Sequence, residues 1–390
     1  MHLSSFYDKL IKKAVASLKK FLSLIMVTVI VLSSLSFAAF AANNVTGCVT
    51  VSDTVEPNSG KDVSEEIQKI IDDNPNRTIY FPDGEYLLGK PIFTPADPKK
   101  SVSLELSDFA VLKATGDWAS GKAVVQLGGK DAANDTSTNG SNYSLEGGII
   151  DGSGVADGIS INSGRETMVR YASIKHAVVG LHIMHGANSG SSDADITGVN
   201  IIGTGGTDSI GMLIEGNDNT VTNVRIGYVF TGVLLKSSGN MLRNVHPLYY
   251  SDYTDYQNSS GFVDEIGSNW FDYCYSDQFA VGFRTTGNGA GIYNNCFCYW
   301  YSSDKDRHTA FKAEKAFNST LTNFTADFTG GDTENVVLSV GNPFGRGIID
   351  NLRIDKDEID DFTYKMYDKN SFVFGKIFGF FSFIIAAIKG

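Results

Sequence analysis

Gly211–Asn240 reads "GMLIEGNDNTVTNVRIGYVFTGVLLKSSGN". One phrase occurs in it twice. Gly211 opens "GMLIE", and Gly232 opens "GVLLK" 21 residues later; eight residues past each opener stands an asparagine, Asn219 and Asn240. The phrase recurs along the chain at Gly158 "GISIN", Gly180 "GLHIM", Gly261 "GFVDE", Gly282 "GFRTT" and Ala310 "AFKAE". The seven openers are 22, 31, 21, 29, 21 and 28 residues apart, so short turns alternate with turns that carry insertions. Asn188, Asn269 and Asn318 repeat the asparagine mark. A unit of roughly 21 residues with two or three short strands cannot cover its own apolar face, but a stack of such units can. The expected fold is therefore all-β, a right-handed parallel β-helix, with the hand taken from the usual crossover rule. Stacked asparagines, which tolerate left-handed backbone and can bond to one another, are expected at its sharp bends.

Outside the repeat, the chain divides by composition. Residues 1–42 carry Lys9, Lys12, Lys13, Lys19 and Lys20, then an apolar run ending in Ala38-Ala39-Phe40-Ala41-Ala42, which reads as a secretory signal peptide. A signal anchor, or a lipoprotein box at Val45–Cys48, are the alternatives. Residues 43–354 make the β-helix, 355–370 a charged linker, and 371–390 an apolar helix suited to a membrane surface or to covering the last turn. Before the repeat, Asp62 and Glu65 form a capping pair ahead of the stripe Val63, Ile67, Ile70 and Ile71, and Asn74-Pro75 ends the segment. This is a helix that caps the open N-terminal end. The formal charge is −12 and only 19% of residues are charged, which disfavours nucleic acid as a partner, since phosphate binding needs basic surface. Four cysteines do not make a disulfide scaffold; Cys296 and Cys298, alternating along a strand, read as buried thiols, with one bridge allowed between Cys274 and Cys296.

Alternation assigns faces. One residue after the opener, Ile159, Leu181, Met212, Val233, Phe262, Phe283 and Phe311 face inward. Two and four residues after it, side chains face outward, which sets His182, Arg284, Glu215, Lys236 and Glu265 on the surface. Glu215 and Glu265 are two rungs apart with Lys236 between them, about 9–10 Å, near the 6.5–9.5 Å separation that inverting glycosidases use. The plainer reading of the same column is a solvated salt-bridge ladder. Asp264 falls on an inward position, and a bulge there would turn it outward to form an acid pair with Glu265. Two insertions are aromatic. His246–Ser260 holds Tyr249, Tyr250 and Tyr253, and Cys298–His308 holds Trp300 and His308. They are expected to line a sugar cleft or, alternatively, to pack inward. Asp151, in "GGIIDGSG", is a turn residue, whereas Asp157 stands directly before the opener Gly158.

"DVSEEIQKIIDDNPNRTIYFPDGEYLLGKPI" (Asp62–Ile92) together with "GGIIDGSG" (Gly147–Gly154) resembles the pectate-lyase-like β-helix superfamily, including glycoside hydrolase family 28-related proteins. The resemblance spans roughly residues 60–350 and implies a secreted protein that cleaves or grips a polysaccharide or oligosaccharide, as a hydrolase, a lyase or a non-catalytic binder. Of the polygalacturonase motifs only the first aspartate has a counterpart, Asp157. Val178-Val179 and Ser209-Ile210 stand where that family has its acid pair and histidine, and Arg284 and Lys236 each echo half of its Arg-Lys pair. No cofactor is expected. Lyases of this fold often hold calcium, for which Asp193 and Asp195 are the candidate ligands, without the accompanying turn glycine or bidentate glutamate of a full site.

Overall fold

The repeated phrases become the rungs of a ladder. The computed structural model describes residues 47–137, 143–249, 256–301, 307–329, 334–342, 344–355 and 364–365, with Lys13, 17–20 and Met26. The chain divides into two compact units, Met1–Cys48 and Val49–Gly390. In the first, Lys13, 17–20 and Met26 are helical. Among the described residues no helix is long and apolar enough to cross a membrane. The apolar segment 371–390 and most of the leader lie outside the described residues.

In the second unit, one sheet of eleven described strands runs in strict chain order from Ile92–Phe93 to Tyr364–Lys365. Each strand is parallel to its neighbours, as a chain wound in one direction requires. The architecture is a right-handed parallel β-helix. Its last described strand, Tyr364–Lys365, pairs with Asn335 and Val336, so part of the stretch expected to be a charged linker continues the sheet. A second sheet, of seventeen described strands, lines the coil beside it.

The row assigned to the core is continuous. Ile159, Leu181, Met212, Val233, Phe262, Phe283 and Phe311 are paired rung to rung, and all are buried. The register also explains the opening glycines. A Cβ on Gly180 or Gly211 would lie 2.5 Å from the carbonyl oxygen of the next opener, so the rungs approach too closely for any side chain there. The core changes character along the stack. Along the inward row aliphatic side chains run from Ile159 to Val233, and beyond that rings take over, with Phe262 stacked on Phe283 at 4.6 Å and, beside that row, Phe271 on Tyr293 at 4.4 Å.

The expected asparagine stack forms in three rungs. Asn219, Asn240 and Asn269 are fully buried, and the side-chain amide of Asn219 donates to Asn240 Oδ1 (2.9 Å), that of Asn240 to Asn269 Oδ1 (3.2 Å). Asn188 and Asn318 stand apart from it, bonded to the backbone of Asn134 and Asn288. A second stack runs along the outside, where Asn223 with Asn244, and Asn295 with Asn323 and Asn351, sit at left-handed bends and bond in series.

The helix Ser64–Asp73 packs Ile67 and Ile71 into the core ahead of the first rungs. Its capping differs from the expected box. Asp62 accepts from the amides of Ser64 (3.0 Å) and Gly89 (2.9 Å), while Glu65 turns to Lys90 (2.6 Å), because the bend after the strand Gly84–Leu88 offers a cation where the box offers only an amide. Cys274, Cys296 and Cys298 are buried free thiols, and the Cys274–Cys296 bridge does not form.

Candidate functional site

The outward column past the ends of the strands is held by backbone bonds that carry the rung register beyond the sheet. The amides of Glu215, Lys236 and Glu265 donate to Ile183, Ile214 and Leu235 at 2.8–2.9 Å. Glu215, Lys236 and Glu265 therefore stand one above another as the repeat requires. The charges do not form the symmetric ladder of alternating signs. Glu215 Oε1 accepts from Lys236 Nζ (3.2 Å), and Glu215 Oε2 meets His182 Nε2 (2.9 Å) from the preceding rung. Among the described residues no ion pair joins Lys236 to Glu265.

This pairing sets the charge state of Glu215. The hydrogen bond from His182, outweighing partial burial and reinforced by Lys236, lowers its pKa to about 2. Glu215 is thus an ionised carboxylate at any ordinary pH, oriented by a histidine behind it and a lysine beside it. Glu265 lies two rungs on, roughly 10 Å away at the backbone. Two carboxyls at that spacing can flank a glycosidic bond with room for a water between.

Asp157 is buried and accepts the Val179 amide at 3.0 Å; burial raises its pKa, with the Val179 amide and His182 opposing. It is two rungs and five residues from Glu215, about 19 Å between backbones, too far to share a reacting bond with it. Asp151 ends the strand Ser144–Asp151 and leads into the turn that its sequence suggests, its Oδ1 accepting the Ser153 amide at 2.8 Å and lying 3.0 Å from His176 Nδ1. Arg284, expected to reach substrate, is engaged by Glu314 through both Nε (2.8 Å) and Nη2.

Several expected site residues lie elsewhere. Asp264 keeps its inward position, with the strands on both sides in unbroken register and no bulge. It is 1% exposed, and its Oδ1 accepts from the Gly267 amide (2.7 Å) and from Asn269 (3.0 Å). It ends the buried asparagine stack, giving the last amide a partner, and cannot pair with Glu265. The aromatic insertions turn inward too. Tyr249 packs edge-on to Tyr256 and Phe279, and Trp300 stacks on His308 and Phe328 while its Nε1 donates to Phe279 O (2.7 Å). All three of Tyr249, Trp300 and His308 are buried, so none grips a ligand. Tyr250 and Tyr253 lie outside the described residues. The candidate calcium ligands are consumed by cations, Asp193 by Arg165 (2.9 Å) and Asp195 by Arg170 (2.6 Å).

Sequence reasoning missed the partnership of His182 with Glu215, which joins positions two and four after successive openers. Laying the rungs side by side would have shown it. It also missed a row of rings, His246, Tyr275 and Phe297, fourteen or fifteen residues past their openers, because the rows were followed only to the first bend.

No protein-family model matches the sequence, and no curated protein matches it. Among solved structures the fold is similar to that of an endo-xylogalacturonan hydrolase from Aspergillus tubingensis, at 13% identity over 83% of this chain and 99% of that one, with a TM-score of 0.60. It is also similar to an alginate lyase from a Paenibacillus species (13% identity, 75% and 97% covered, TM-score 0.52) and to a surface adhesin of Streptococcus pneumoniae (12%, 82% and 93%, TM-score 0.53). At these identities the likeness is one of fold.

Proposed function

We propose that this is a secreted, carbohydrate-active β-helix protein that cleaves a polysaccharide at the column formed by Glu215, Lys236 and Glu265. The observation that carries the reading is the state of Glu215, locked ionised between His182 and Lys236 with a second carboxylate two rungs away. In this role Glu215 is the anionic member that activates water or stabilises developing positive charge, and Glu265 is the proton donor to the leaving oxygen. Lys236 between them binds a sugar hydroxyl or carboxylate. The fold supports the class of ligand, since structures sharing it include a hydrolase, a lyase and an adhesin. Secretion rests on the leader, residues 1–42, and predicts a mature chain whose N-terminus, read by sequencing the secreted protein, falls near Asn43.

One observation favours a second reading, a non-catalytic grip. Both oxygens of Glu215 already have partners, as in an inert surface network. The test is a screen of plant and bacterial polysaccharides for new reducing ends and for the absorbing double bond that a lyase leaves. Glu215→Gln and Glu265→Gln should each lower turnover by roughly 10²–10⁴-fold with the fold intact by circular dichroism. Activity that survives both substitutions would place the chemistry elsewhere, and binding without any product would establish the grip.

A further inference from the structure

The second sheet carries, on its outward face, a feature that the column at Glu215 does not use. Parallel pairing puts Leu248, Asp277, Tyr299 and Asp327 in one row, and Tyr275 and Phe297 in the row beside it. His246 joins the second row, its ring stacked on Tyr275 at 4.1 Å with an interplanar angle of 17°. The run of rings continues from Tyr275 to Phe297 (5.0 Å), from Phe297 to Tyr299 (6.2 Å) and from Tyr299 to Tyr301 (6.1 Å). Tyr301 at its end is 58% exposed.

Two polar atoms in this strip make no hydrogen bond, although each of their side chains has one elsewhere, His246 Nδ1 to Arg225 Nη1 at 3.2 Å. Asp277 is 9% exposed; its Oδ2 accepts from the Tyr275 hydroxyl (3.1 Å) and stands 3.7 Å from His246 Nε2, outside hydrogen-bond range. Its Oδ1, and His246 Nε2, make no hydrogen bond. Buried polar atoms of a folded protein are almost always satisfied, and an orphaned carboxylate oxygen is costly. A ligand that brings hydroxyls satisfies both atoms, because a hydroxyl donates to the carboxylate oxygen and donates to or accepts from the imidazole.

We propose that this face is a binding strip for a neutral saccharide chain, whose ring faces lie on Tyr275, Phe297, Tyr299 and Tyr301 and whose hydroxyls bond to Asp277 and His246. Large flat side chains with a few placed polar groups are the usual make-up of such a site. An apolar peptide would cover the rings and leave both polar atoms orphaned. An anionic saccharide would meet the row of Asp277, Asp327 and Asp355. The strip is on a different sheet from Glu215 and does not depend on any cleavage there; it would hold a chain whether or not the protein cuts one.

The test is titration of the full chain with cellohexaose, mannohexaose and hexagalacturonate, followed by calorimetry. The wild type and the double variant Glu215→Gln, Glu265→Gln should bind at least one of the two neutral hexaoses equally. Tyr299→Ser with Tyr301→Ser should weaken that binding tenfold or more, and Asp277→Asn should weaken it while the near-ultraviolet circular dichroism stays that of wild type. Hexagalacturonate should not bind at the strip. The proposal is overturned if neither neutral hexaose binds, if the tyrosine pair can be removed without effect, or if the Glu215/Glu265 variant alone abolishes binding. The last outcome would move the saccharide to the other sheet. Binding by the wild type without any cleavage product would sink the catalytic reading and leave this one standing.

Discussion

His308 shows how a buried residue makes the fold sensitive to acid. It lies between Trp300 and Tyr256, 1% exposed, and burial, offset in small part by Asn335, lowers its pKa to about 4. The folded ring is neutral where an unfolded one takes a proton. Above about pH 6.5 neither state is protonated and the residue contributes no pH dependence. Between about pH 6.5 and 4 the unfolded chain gains a proton that the folded chain refuses, so stability falls as pH falls, by up to roughly 3 kcal/mol, and then levels off. Urea midpoints measured from pH 7 to pH 4 should therefore decline, and His308→Phe should flatten that decline. An equal slope in the variant would mean the ring is not held neutral. Glu215 works in the same direction, stability falling with pH, but in a lower window. Its pKa is lowered from 4.5 to about 2, so its stabilisation is complete above 4.5 and disappears only as pH falls toward 2. The two effects are separable by pH alone.

At the scale of elements, two asparagine stacks make opposite demands. Buried Asn240 accepts from both the backbone and side-chain amides of Asn219 and donates to Ser237 and Asn269. Asn240→Ala would strand several buried donors and acceptors, a cost of about 2–4 kcal/mol. Asn244 sits on the outer stack with a left-handed backbone (φ 51°) and one side-chain bond to Asn223. Asn244→Gly keeps that backbone conformation and exposes its partner to water, so it should cost under about 1 kcal/mol. Thermal midpoints of the two variants decide the matter, and equal losses would contradict the distinction. The same contrast explains what was legible beforehand. Openers, inward rows and the three-rung stack follow from spacing, because each rung repeats one backbone path and the glycines mark where rungs touch. The direction of the insertions does not follow from spacing. Tyr249, Trp300 and His308 are as compatible with a cleft as with a core, and alternation is lost at the bends that precede them. Asp264 misled for a related reason. A lone carboxylate on an inward position suggests a bulge, until Asn269 and the Gly267 amide are seen to supply its donors.

The whole molecule behaves as a one-dimensional stack, in which each coil is stabilised by the coils next to it. Its ends are then its weakest places, and the N-terminal end is protected by the helix Ser64–Asp73. Ile67 and Ile71 of that helix are fully buried in the same core as Ile79, Phe81, Leu104 and Leu112 of the first coils. Ile71→Ala removes apolar contact there at a cost of about 2–5 kcal/mol. In a compact globule with a single cooperative core, that loss would lower protection everywhere. In a stack it should act near the end that loses its cover. Hydrogen exchange followed by mass spectrometry should show faster exchange in Arg77–Phe81 and Val102–Ala114, with little change in Val281–Thr285 and Thr320–Asp327. Those distant strands rest on the ring-filled part of the core, where Phe283, Tyr293, Phe311 and Phe324 contact one another. Uniform acceleration along the chain would show that the coils unfold as one unit, and would remove the reason for expecting a lesion at one end to leave the column at Glu215 in working order.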